Sequence, residues 1–400
     1  MHDLSLPLLA FVAGLAGSLV TAPLLISGFG RAPGLRRRRP DEVAPSVPRL
    51  GGVAVLAGLV CGVVLALWWS GWSGTLLRAT RYQWIGWILA LGCLFLWGLV
   101  DDLRGLTPRA KLAMQAAGAL VVYMAGFRID FVTVPGLGTT GLGWAALPVT
   151  ILWVVGVVNA FNFIDGLDGL AAGVALISTG TIAVISYVQG IFPVTVLSTA
   201  LAGSLVGFLV FNFSPARITL GDSGSQLLGF TLAVISMRGL QKSATAVAVF
   251  APALVLGLPI LDMLLVVARR GWRIRVEPKP TEGSSLARWG GIARRDREHI
   301  HHNLVDLGLS DRKAAVVLYL TTAAFCAGAA GLVLLQRPAL VLALAACTAG
   351  GTALAKLAAV RQRSRREPTP MPPVSAGPGS PGSPRSSKPH TTAGAVPGSP

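Results

Sequence analysis

Long apolar runs, separated by short polar segments, make up most of the chain. Many of these runs approach the length of about 20 residues that one α-helix needs to cross a bilayer. The period-2 alternation that is typical of membrane β-strands is absent from them. The pattern therefore predicts an all-α, polytopic integral membrane protein with about eleven transmembrane helices. Their predicted limits are 5–27, 50–70, 83–100, 109–126, 143–160, 169–189, 191–212, 225–238, 244–268, 314–335 and 338–358.

The composition supports a membrane protein and excludes a soluble enzyme. Of the 400 residues, 13% are charged, and the mean hydropathy is +0.65. Soluble domains carry about 25% charged residues. The four cysteines fall inside apolar runs, without the spacing of a metal site or a disulfide framework. We therefore interpret them as small buried apolar residues.

Lysine and arginine are distributed unevenly between the two sides of the predicted spans. Of the 34 Lys and Arg residues, one set of alternate loops holds only Arg78, Arg81, Arg128, Arg238, Lys242 and Arg337. Because basic loops stay in the cytoplasm, we expect the N-terminus outside and the C-terminus inside the plasma (inner) membrane. The net charge of +17 is then explained by this topology and by anionic membrane lipids, not by nucleic acid.

The polar segments divide the chain into two domains. Residues 1–360 contain the predicted spans and form a transmembrane domain, in which the long cytoplasmic loop 269–313 carries three histidines. Residues 361–400 are rich in Pro, Gly and Ser, a composition that cannot bury a core. We predict that this segment is a disordered cytoplasmic tail.

Acidic residues are scarce, and five of them fall at the ends of predicted spans on the basic side: Asp101, Asp102, Asp165, Asp168 and Asp222. The topology rests on basic residues alone, so this agreement is independent of it. A carboxylate at a membrane edge is costly and usually functional, although a single one can instead cap a helix. Carboxylates near amides, together with the glycines of "GDSGS", suit magnesium and phosphate groups. The pattern predicts such a site at the cytoplasmic face.

Two further features each allow two interpretations. Asp262 lies inside the ninth apolar run, where it either pairs with Arg269 or Arg270 or faces the cavity. Gly51 and Gly52 in "PRLGG" allow the close approach either of a substrate or of a neighbouring helix. The residues alone leave both choices open.

The loop 269–313 carries the histidines His299, His301 and His302 within four residues. No cysteine lies near them, so a zinc site is disfavoured. Beside arginines such as Arg297, these imidazoles suit the binding of a diphosphate. Arg49, in the first basic loop, is a further candidate for a phosphate contact.

Five motifs follow one another along the chain: "VPRLGGVAV", "DD" at 101–102, "NAFNFIDGLDGLAAG", "GDSGSQLLG" and "HIHH". In this order they resemble the polyprenyl-phosphate N-acetylhexosamine-1-phosphate transferase family (glycosyltransferase family 4), over about residues 1–360. The resemblance implies transfer of a sugar 1-phosphate from a UDP-sugar to a polyprenyl phosphate, such as undecaprenyl phosphate, with release of UMP. "HIHHNL" is similar to the branch that uses UDP-N-acetylglucosamine and starts a lipid-linked cell-wall or surface polysaccharide.

The resemblance also implies a role for each candidate residue. Asp222 is the implied metal ligand, assisted by Asn159 or Asn162, for magnesium or for manganese in its place. The implied catalytic residues are Asp101, Asp102 and Asp165, and one of the first two, in preference Asp101, takes the remaining proton of the lipid phosphate. Asp168 is the implied nucleotide-binding residue. The implied phosphate-binding residues are His299, His301, His302, Arg297 and Arg49. A small homodimer is a further implication.

Three alternatives stay open. The phospho-MurNAc-pentapeptide transferase branch of the same family carries three consecutive histidines where this chain has "HIHH". A secondary transporter would need carboxylates near the middle of its spans, whereas the five acids above lie at span ends. Within the family reaction, an aspartate could act as a nucleophile and form a phospho-enzyme; we favour direct attack by the lipid phosphate.

Overall fold

The computed structural model describes residues 4–29, 36–37, 47–70, 75–134, 138–240, 250–276, 299–306 and 308–335. The predicted span 338–358, the predicted tail 361–400 and Arg297 lie outside the described residues, as do the side chains of His301 and His302.

Twelve α-helices make up most of the described chain: α1 Ser5–Phe29, α2 Gly51–Trp69, α3 Thr75–Arg104, α4 Pro108–Met124, α5 Ala146–Ile164, α6 Leu170–Val188, α7 Phe192–Asn212, α8 Gly221–Leu240, α9 Phe250–Val255, α10 Gly257–Val276, α11 Ile300–Asp306 and α12 Asp311–Leu335. Seven helical stretches among the described residues are long and apolar enough to cross a membrane: Ser5–Gly28, Gly51–Trp69, Tyr82–Arg104, Gly143–Ile164, Leu170–Val188, Phe192–Asn212 and Asp311–Leu334. The prediction of an all-α, polytopic membrane protein is confirmed, and the count of about eleven spans stays a prediction.

Short antiparallel strand pairs lie in two of the helix connections. Strand β1 (Arg36–Arg37) pairs with β2 (Val47–Pro48), which leads into α2. Strand β3 (Phe131–Val134) pairs with β4 (Gly138–Gly141), and a 3-10 helix at Gly143–Ala145 then leads into α5. The hydropathy pattern did not predict these strands because none is longer than four residues.

Helix α8 lies inside the bundle, and every residue from Ser223 to Met237 is buried. It packs against α2, α3, α5 and α6. A Cβ added to Gly98 of α3 would lie 2.5 Å from the Cα of Ser223, and one added to Gly229 would lie 2.6 Å from the Cα of Val158 on α5. Small residues at such contacts let membrane helices approach closely, so α8 is held firmly by its neighbours.

Large apolar side chains are exposed along the outer surface of the helices. Examples are Leu24, Trp68, Leu89, Leu152 and Val210. Soluble monomers seldom expose a large continuous apolar surface. The distribution is that of a bundle surrounded by lipid.

Several predicted span limits differ from the structure, among them the ends of α5 at Ile164 and of α3 and the start of α8 at Gly221; two cases show why. Helix α3 continues past the predicted limit to Arg104, so Asp101 and Asp102 lie in its last turns and not in a loop. The predicted span 244–268 contains two helices, α9 and α10, separated at Leu256, and α10 extends beyond the predicted end. Both limits were wrong because charged side chains end a hydropathy window, whereas backbone hydrogen bonding continues through them.

Candidate active site

The C-terminus of α3 meets the N-terminus of α8, where Asp102 caps α8. Its Oδ1 accepts a hydrogen bond from the backbone N–H of Asp222, with an N···O distance of 2.7 Å. Its Oδ2 accepts bonds from the backbone N–H and the hydroxyl of Ser223, at 2.9 and 2.8 Å. The first N–H groups of a helix lack intrahelical partners and carry the positive end of its dipole. The buried Asp102 carboxylate therefore fixes where α8 begins.

Gly221, the first residue of α8, has a φ angle of +76°, a conformation that residues with a side chain rarely adopt. A Cβ at this position would lie 2.8 Å from Asp102 Oδ2 and 2.9 Å from the backbone oxygen of Arg49. Arg49, a predicted phosphate-binding residue, is itself partly exposed at this point. The glycine allows α3, α8 and the segment before α2 to converge.

We expect Gly221→Ala to destabilise the protein by about 2 kcal/mol or more, because a methyl group would meet the Asp102 carboxylate in addition to the left-handed strain of about 1 kcal/mol. The matched control is Gly105→Ala, at a φ of +70° with no atom within 4 Å of its Cβ position. Thermal unfolding in detergent should show the larger drop in melting temperature for Gly221→Ala. Equal drops in the two variants would contradict the proposed clash.

Asp222 occupies the second position of α8, and its side chain is 26% exposed. Asn162, in the last turn of α5, donates from Nδ2 to Asp222 Oδ1 at 2.6 Å and to the Ser225 hydroxyl oxygen at 3.0 Å. An amide from a neighbouring helix thus orients the carboxylate while part of it stays open to solvent. Two of the predicted metal-binding residues are therefore in direct contact.

Lys111, in the first turn of α4, lies between two carboxylates. Its Nζ forms an ion pair with Asp101 Oδ2 and lies 3.6 Å from Asp222 Oδ2. The other oxygen of Asp101 accepts a hydrogen bond from the backbone N–H of Leu106 at 2.6 Å. We call Asp101, Lys111 and Asp222 the charged cluster. It joins α3, α4 and α8 at one end of the bundle.

The charged cluster has the chemistry of a site for a hard divalent cation. Two carboxylates already surround one positive charge, and magnesium prefers oxygen ligands of this kind. Within the described ranges, no three His, Cys, Asp or Glu side chains come together as a metal site. Magnesium commonly takes only one or two protein carboxylates and fills its other positions with water and phosphate. Asp222, Asp101 and Asn162 are the residues that could hold it.

Asn159 lies one turn before Asn162 on α5 and makes different contacts. Its Nδ2 donates to Gln115 Oε1 at 2.6 Å and to the backbone oxygen of Val155 at 2.8 Å. Gln115, on α4, is buried. In the part of the chain that the structure describes, no hydrogen bond joins Asn159 to Asp222. Of the two predicted amide ligands, the structure brings Asn162 to the charged cluster.

The turn between α5 and α6 carries the predicted site residues Asp165 and Asp168, both partly exposed. Asp165 directly follows the last residue of α5, less than one turn beyond Asn162. Asp168 Oδ2 accepts a hydrogen bond from the backbone N–H of Ala216 at 3.0 Å. One oxygen of Asp168 thus anchors the neighbouring loop, and its predicted contact with the nucleotide stays a prediction.

The loop 213–220, which leads into α8, is fastened by several side chains. Asn212 donates from Nδ2 to the backbone oxygen of Ile218 at 2.8 Å. Arg312, at the start of α12, donates from Nε to the backbone oxygen of Ser214 at 2.7 Å. Together with the bond that Asp168 accepts from Ala216, these contacts join the loop to the turn before α6, to α7 and to α12.

The glycines of "PRLGG" pack against the same loop. The backbone N–H of Gly51 donates to the oxygen of Thr219, and that of Gly52 donates to the oxygen of Leu220, both at 2.9 Å. A Cβ on Gly52 would lie 2.5 Å from the backbone nitrogen of Gly224 on α8. The sequence left open whether these glycines allow the close approach of a substrate or of a neighbouring helix. The contacts of Gly51 and Gly52 support the second interpretation, because both pack closely against neighbouring backbone.

The histidine segment, residues 299–302, contacts Asp262 of α10. The Nδ1 atom of His299 lies 2.8 Å from Asp262 Oδ2, and the backbone N–H of Ile300 donates to Asp262 Oδ1 at 2.9 Å. The sequence had suggested an arginine partner or the cavity for Asp262, and it did not suggest His299. His301 and His302 lie in α11, the helix that begins at this contact.

Comparison with known proteins places the chain in a family. It is 36% identical over 275 residues to a Bacillus subtilis protein named probable undecaprenyl-phosphate N-acetylglucosaminyl 1-phosphate transferase, covering 68% of this chain and 70% of that one. It is 34% identical over 352 residues to the decaprenyl-phosphate N-acetylglucosaminephosphotransferase of Mycobacterium tuberculosis, covering 81% and 82%. The family model described as glycosyl transferase family 4 matches residues 84–240. The chain belongs to glycosyl transferase family 4.

The match to glycosyl transferase family 4 runs from within α3 to the end of α8 and includes the whole charged cluster. Asp262 and the histidine segment lie outside the matched range. A phospho-N-acetylmuramoyl-pentapeptide-transferase from Synechococcus sp. is also similar, with 31% identity over 351 residues that cover 80% of this chain and 94% of that one. The family resemblance of the sequence motifs is thus confirmed.

Sequence reasoning missed three residues at the site of this glycosyl transferase family 4 protein: Lys111, Gln115 and Arg312. A lysine in the first turn of a helix is disfavoured by the helix dipole. The position of Lys111 therefore indicates that a nearby acidic side chain compensates for this cost. Gln115 follows it by four residues, on the same face of α4, and is a polar residue in an apolar helix. No sequence pattern indicated the contact of Arg312 with Ser214.

Proposed function

We propose that the protein transfers N-acetylglucosamine 1-phosphate from UDP-N-acetylglucosamine to undecaprenyl phosphate or a related polyprenyl phosphate, and releases UMP. The product, a polyprenyl-diphosphate sugar, starts a lipid-linked cell-wall or surface polysaccharide. The observation that carries the proposal is the charged cluster of Asp101, Lys111 and Asp222 at one end of an apolar bundle. The names of the Bacillus and Mycobacterium relatives support both the lipid substrate and the sugar.

In the proposed reaction, an oxygen of the lipid phosphate attacks the β-phosphorus of the UDP-sugar. A bond forms between these two atoms, the bond from the β-phosphorus to the bridging oxygen breaks, and UMP leaves with that oxygen. Both reactants are anions, so the protein has to overcome their repulsion and stabilise the charge that builds on the leaving group. Positive charge at the site is therefore essential.

We propose that magnesium, or manganese in its place, is held by Asp222 with Asp101 and Asn162 beside it. When bound, such a cation neutralises the diphosphate and makes UMP a better leaving group. Asn162, at 2.6 Å, orients Asp222 for this role. The cap that Asp102 places on α8 fixes the backbone that carries Asp222.

Lys111 supplies the positive charge of the charged cluster. Its ammonium group offsets the repulsion between Asp101 and Asp222 before substrates arrive, and it attracts the lipid phosphate afterwards. Asp101, paired with Lys111, accepts the remaining proton of the lipid phosphate. Phosphate monoesters lose that proton with a pKa of about 6, so this step contributes modestly at neutral pH.

Asp102 has a positioning role in this proposal, in place of the predicted catalytic role. Both of its oxygens accept hydrogen bonds from the first turn of α8, and the residue is 6% exposed. Substrate atoms would have to displace those bonds to reach it. Asp165, partly exposed at the end of α5, supports the metal or the nucleotide.

The donor nucleotide is assigned to the turn after α5 and to the histidine segment. Asp168 contacts the uracil ring in this proposal through the carboxylate that also anchors Ala216. The residues assigned to phosphate groups are His299, His301, His302, Arg297 and Arg49.

The proposed site faces the cytoplasm, with the N-terminus outside the membrane. The distribution of lysine and arginine supports this topology, and a soluble UDP-sugar and a lipid phosphate can meet at that face. We also propose a homodimer, on the basis of the motif resemblance alone.

A second candidate is the transfer of phospho-MurNAc-pentapeptide. The Synechococcus relative of that name supports it at 31% identity. The higher identities of 36% and 34% to the N-acetylglucosamine enzymes favour the first candidate, as does the "HIHH" segment. A secondary transporter is disfavoured because the charged cluster lies at helix ends, whereas transporter ion sites lie near the membrane midplane.

Purified protein in detergent tests the proposal directly. It is incubated with undecaprenyl phosphate and either UDP-N-acetylglucosamine or UDP-MurNAc-pentapeptide, and the release of UMP is measured. We expect release with the first donor. Release with the pentapeptide donor alone would select the second candidate. The absence of UMP with both donors, together with substrate flux into proteoliposomes, would select the transporter.

We expect a chelator to lower UMP release by about 100-fold or more, because the charged cluster then lacks the divalent cation that neutralises the diphosphate. Adding magnesium in excess should restore activity. The control is chelator already saturated with magnesium, which should have no effect. Undiminished turnover in metal-free buffer would remove the magnesium assignment and leave Lys111 as the cation of the site.

A further inference from the structure

Asp262, in the second turn of α10, is buried, with 2% of its surface exposed. Its carboxylate binds two groups at the start of α11. Oδ2 lies 2.8 Å from His299 Nδ1, and Oδ1 accepts the backbone N–H of Ile300 at 2.9 Å. One side chain thus holds both the first histidine of the "HIHH" segment and the first residue of the helix that follows.

The same contact reaches α5, the helix that carries Asn162. The ring of His299 lies 5.3 Å from the ring of Phe163, between centroids, and is tilted by 32° to it. His299 is itself buried, with 8% exposed. Helix α10 packs on α5, and α11 packs on α12. Asp262 therefore links the histidine segment at the start of α11 to α10, which packs against the helix that carries Asn162.

A buried carboxylate is costly unless its oxygens accept hydrogen bonds, and here both do. The N–H of Ile300 is one of the first groups of α11, which have no partner inside the helix. Because a carboxylate only accepts, the facing Nδ1 of His299 carries the proton, and the ring cannot rotate without losing that bond. A helix of seven residues is marginal on its own, so α11 depends on contacts of this kind.

We propose that Asp262 is a positioning residue for donor binding. By fixing the start of α11 and the ring of His299, it sets the backbone position of the short helix that carries His301 and His302, the residues that the proposed function assigns to the diphosphate of the UDP-sugar. This inference rests on the proposed function. It adds a residue that belongs to none of the five sequence motifs and lies outside the range matched by the family model.

The test is Asp262→Asn, which keeps the size of the side chain and an acceptor for Ile300 but places an amide group against the proton on His299. We expect the KM for UDP-N-acetylglucosamine to rise about tenfold or more. The KM for undecaprenyl phosphate should change less than about twofold, and kcat should fall less than the donor KM rises. The matched control is Leu264→Ala on the same helix, whose side chain is 53% exposed; it should leave both KM values unchanged.

His299→Gln and the double variant complete a mutant cycle with Asp262→Asn. If Asp262 acts through His299, the donor KM of the double variant should resemble that of the worse single variant. Additive effects, or equal rises in the two KM values, would overturn the inference. If Asp262→Asn does not fold, His299→Gln alone must raise the donor KM at an unchanged melting temperature, and failure to do so also overturns the inference.

Wild-type protein is assayed alongside the variants. If the wild type releases no UMP, the proposed function is refuted. If the wild type is active and the variants have normal donor KM values, only the role of Asp262 is refuted.

Discussion

Asp222→Ala should lower UMP release by at least about 1000-fold. The substitution removes the most exposed carboxylate of the charged cluster and so the main ligand proposed for magnesium, and a metal and its charge stabilisation are worth several kcal/mol in phosphoryl transfer. The fold should survive, because the Asp222 side chain is 26% exposed and α8 keeps its cap from Asp102. Turnover and melting temperature, measured on the same preparation, separate the two effects.

The control for this experiment is Asp130→Ala, which removes an exposed acid outside the site. It should keep full activity. Asp222→Asn separates the effect of the negative charge from that of the side-chain shape, because it keeps an oxygen that can accept the bond from Asn162 but loses the charge. We expect it to be nearly as inactive as the alanine variant. Wild-type turnover in Asp222→Ala would remove the metal assignment altogether.

Asp102→Ala should lower both the stability and the activity of the protein. It leaves the backbone N–H groups of Asp222 and Ser223, and the Ser223 hydroxyl, without their acceptor inside the bundle. Loss of a cap and of buried hydrogen bonds to a charged group costs about 2 kcal/mol or more. The start of α8 then moves, and with it Asp222, so we expect turnover to fall by about 100-fold.

A positioning residue and a catalytic residue respond differently to a conservative change. Asp102→Asn keeps one acceptor oxygen for the α8 N-terminus, so it should recover part of both the melting temperature and the turnover lost in Asp102→Ala. If Asp102 were a proton acceptor instead, Asp102→Asn would keep a normal melting temperature and be as inactive as Asp102→Ala. That outcome would restore the catalytic role that the motif resemblance implied.

Hydropathy was sufficient to predict the helical membrane fold, because the cost of unsatisfied backbone groups in lipid leaves few alternatives to a helix. It was least accurate where a helix continues through charged residues. Asp101 and Asp102 extend α3 after the apolar window ends, and α8 begins at Gly221, four residues before its predicted limit, with the polar Asp222 and Ser223 in its first turn. Burial by neighbouring helices decides these cases, and a single-sequence pattern does not contain that information.

The candidate site was predicted as a set of residues, but not as a set of contacts. Asp101 and Asp222 could be selected because a carboxylate at a span end is rare. Their bridging by Lys111 depends on how α4 packs against α3 and α8, and this is a tertiary property. The same holds for Asp262, whose contact with His299 joins residues 37 positions apart. Adjacent residues on a helix point about 100° apart, which is why Asp101 reaches Lys111 while Asp102 reaches α8.

The fastening of loop 213–220 has a consequence for how substrates enter and leave. Its bonds to Asn212, Arg312 and the two glycines that begin α2 would all have to break for the loop to move aside. These bonds hold in place the loop that leads into α8 and to Asp222. In the proposed reaction, the lipid phosphate and the UDP-sugar therefore enter and leave without displacing this loop.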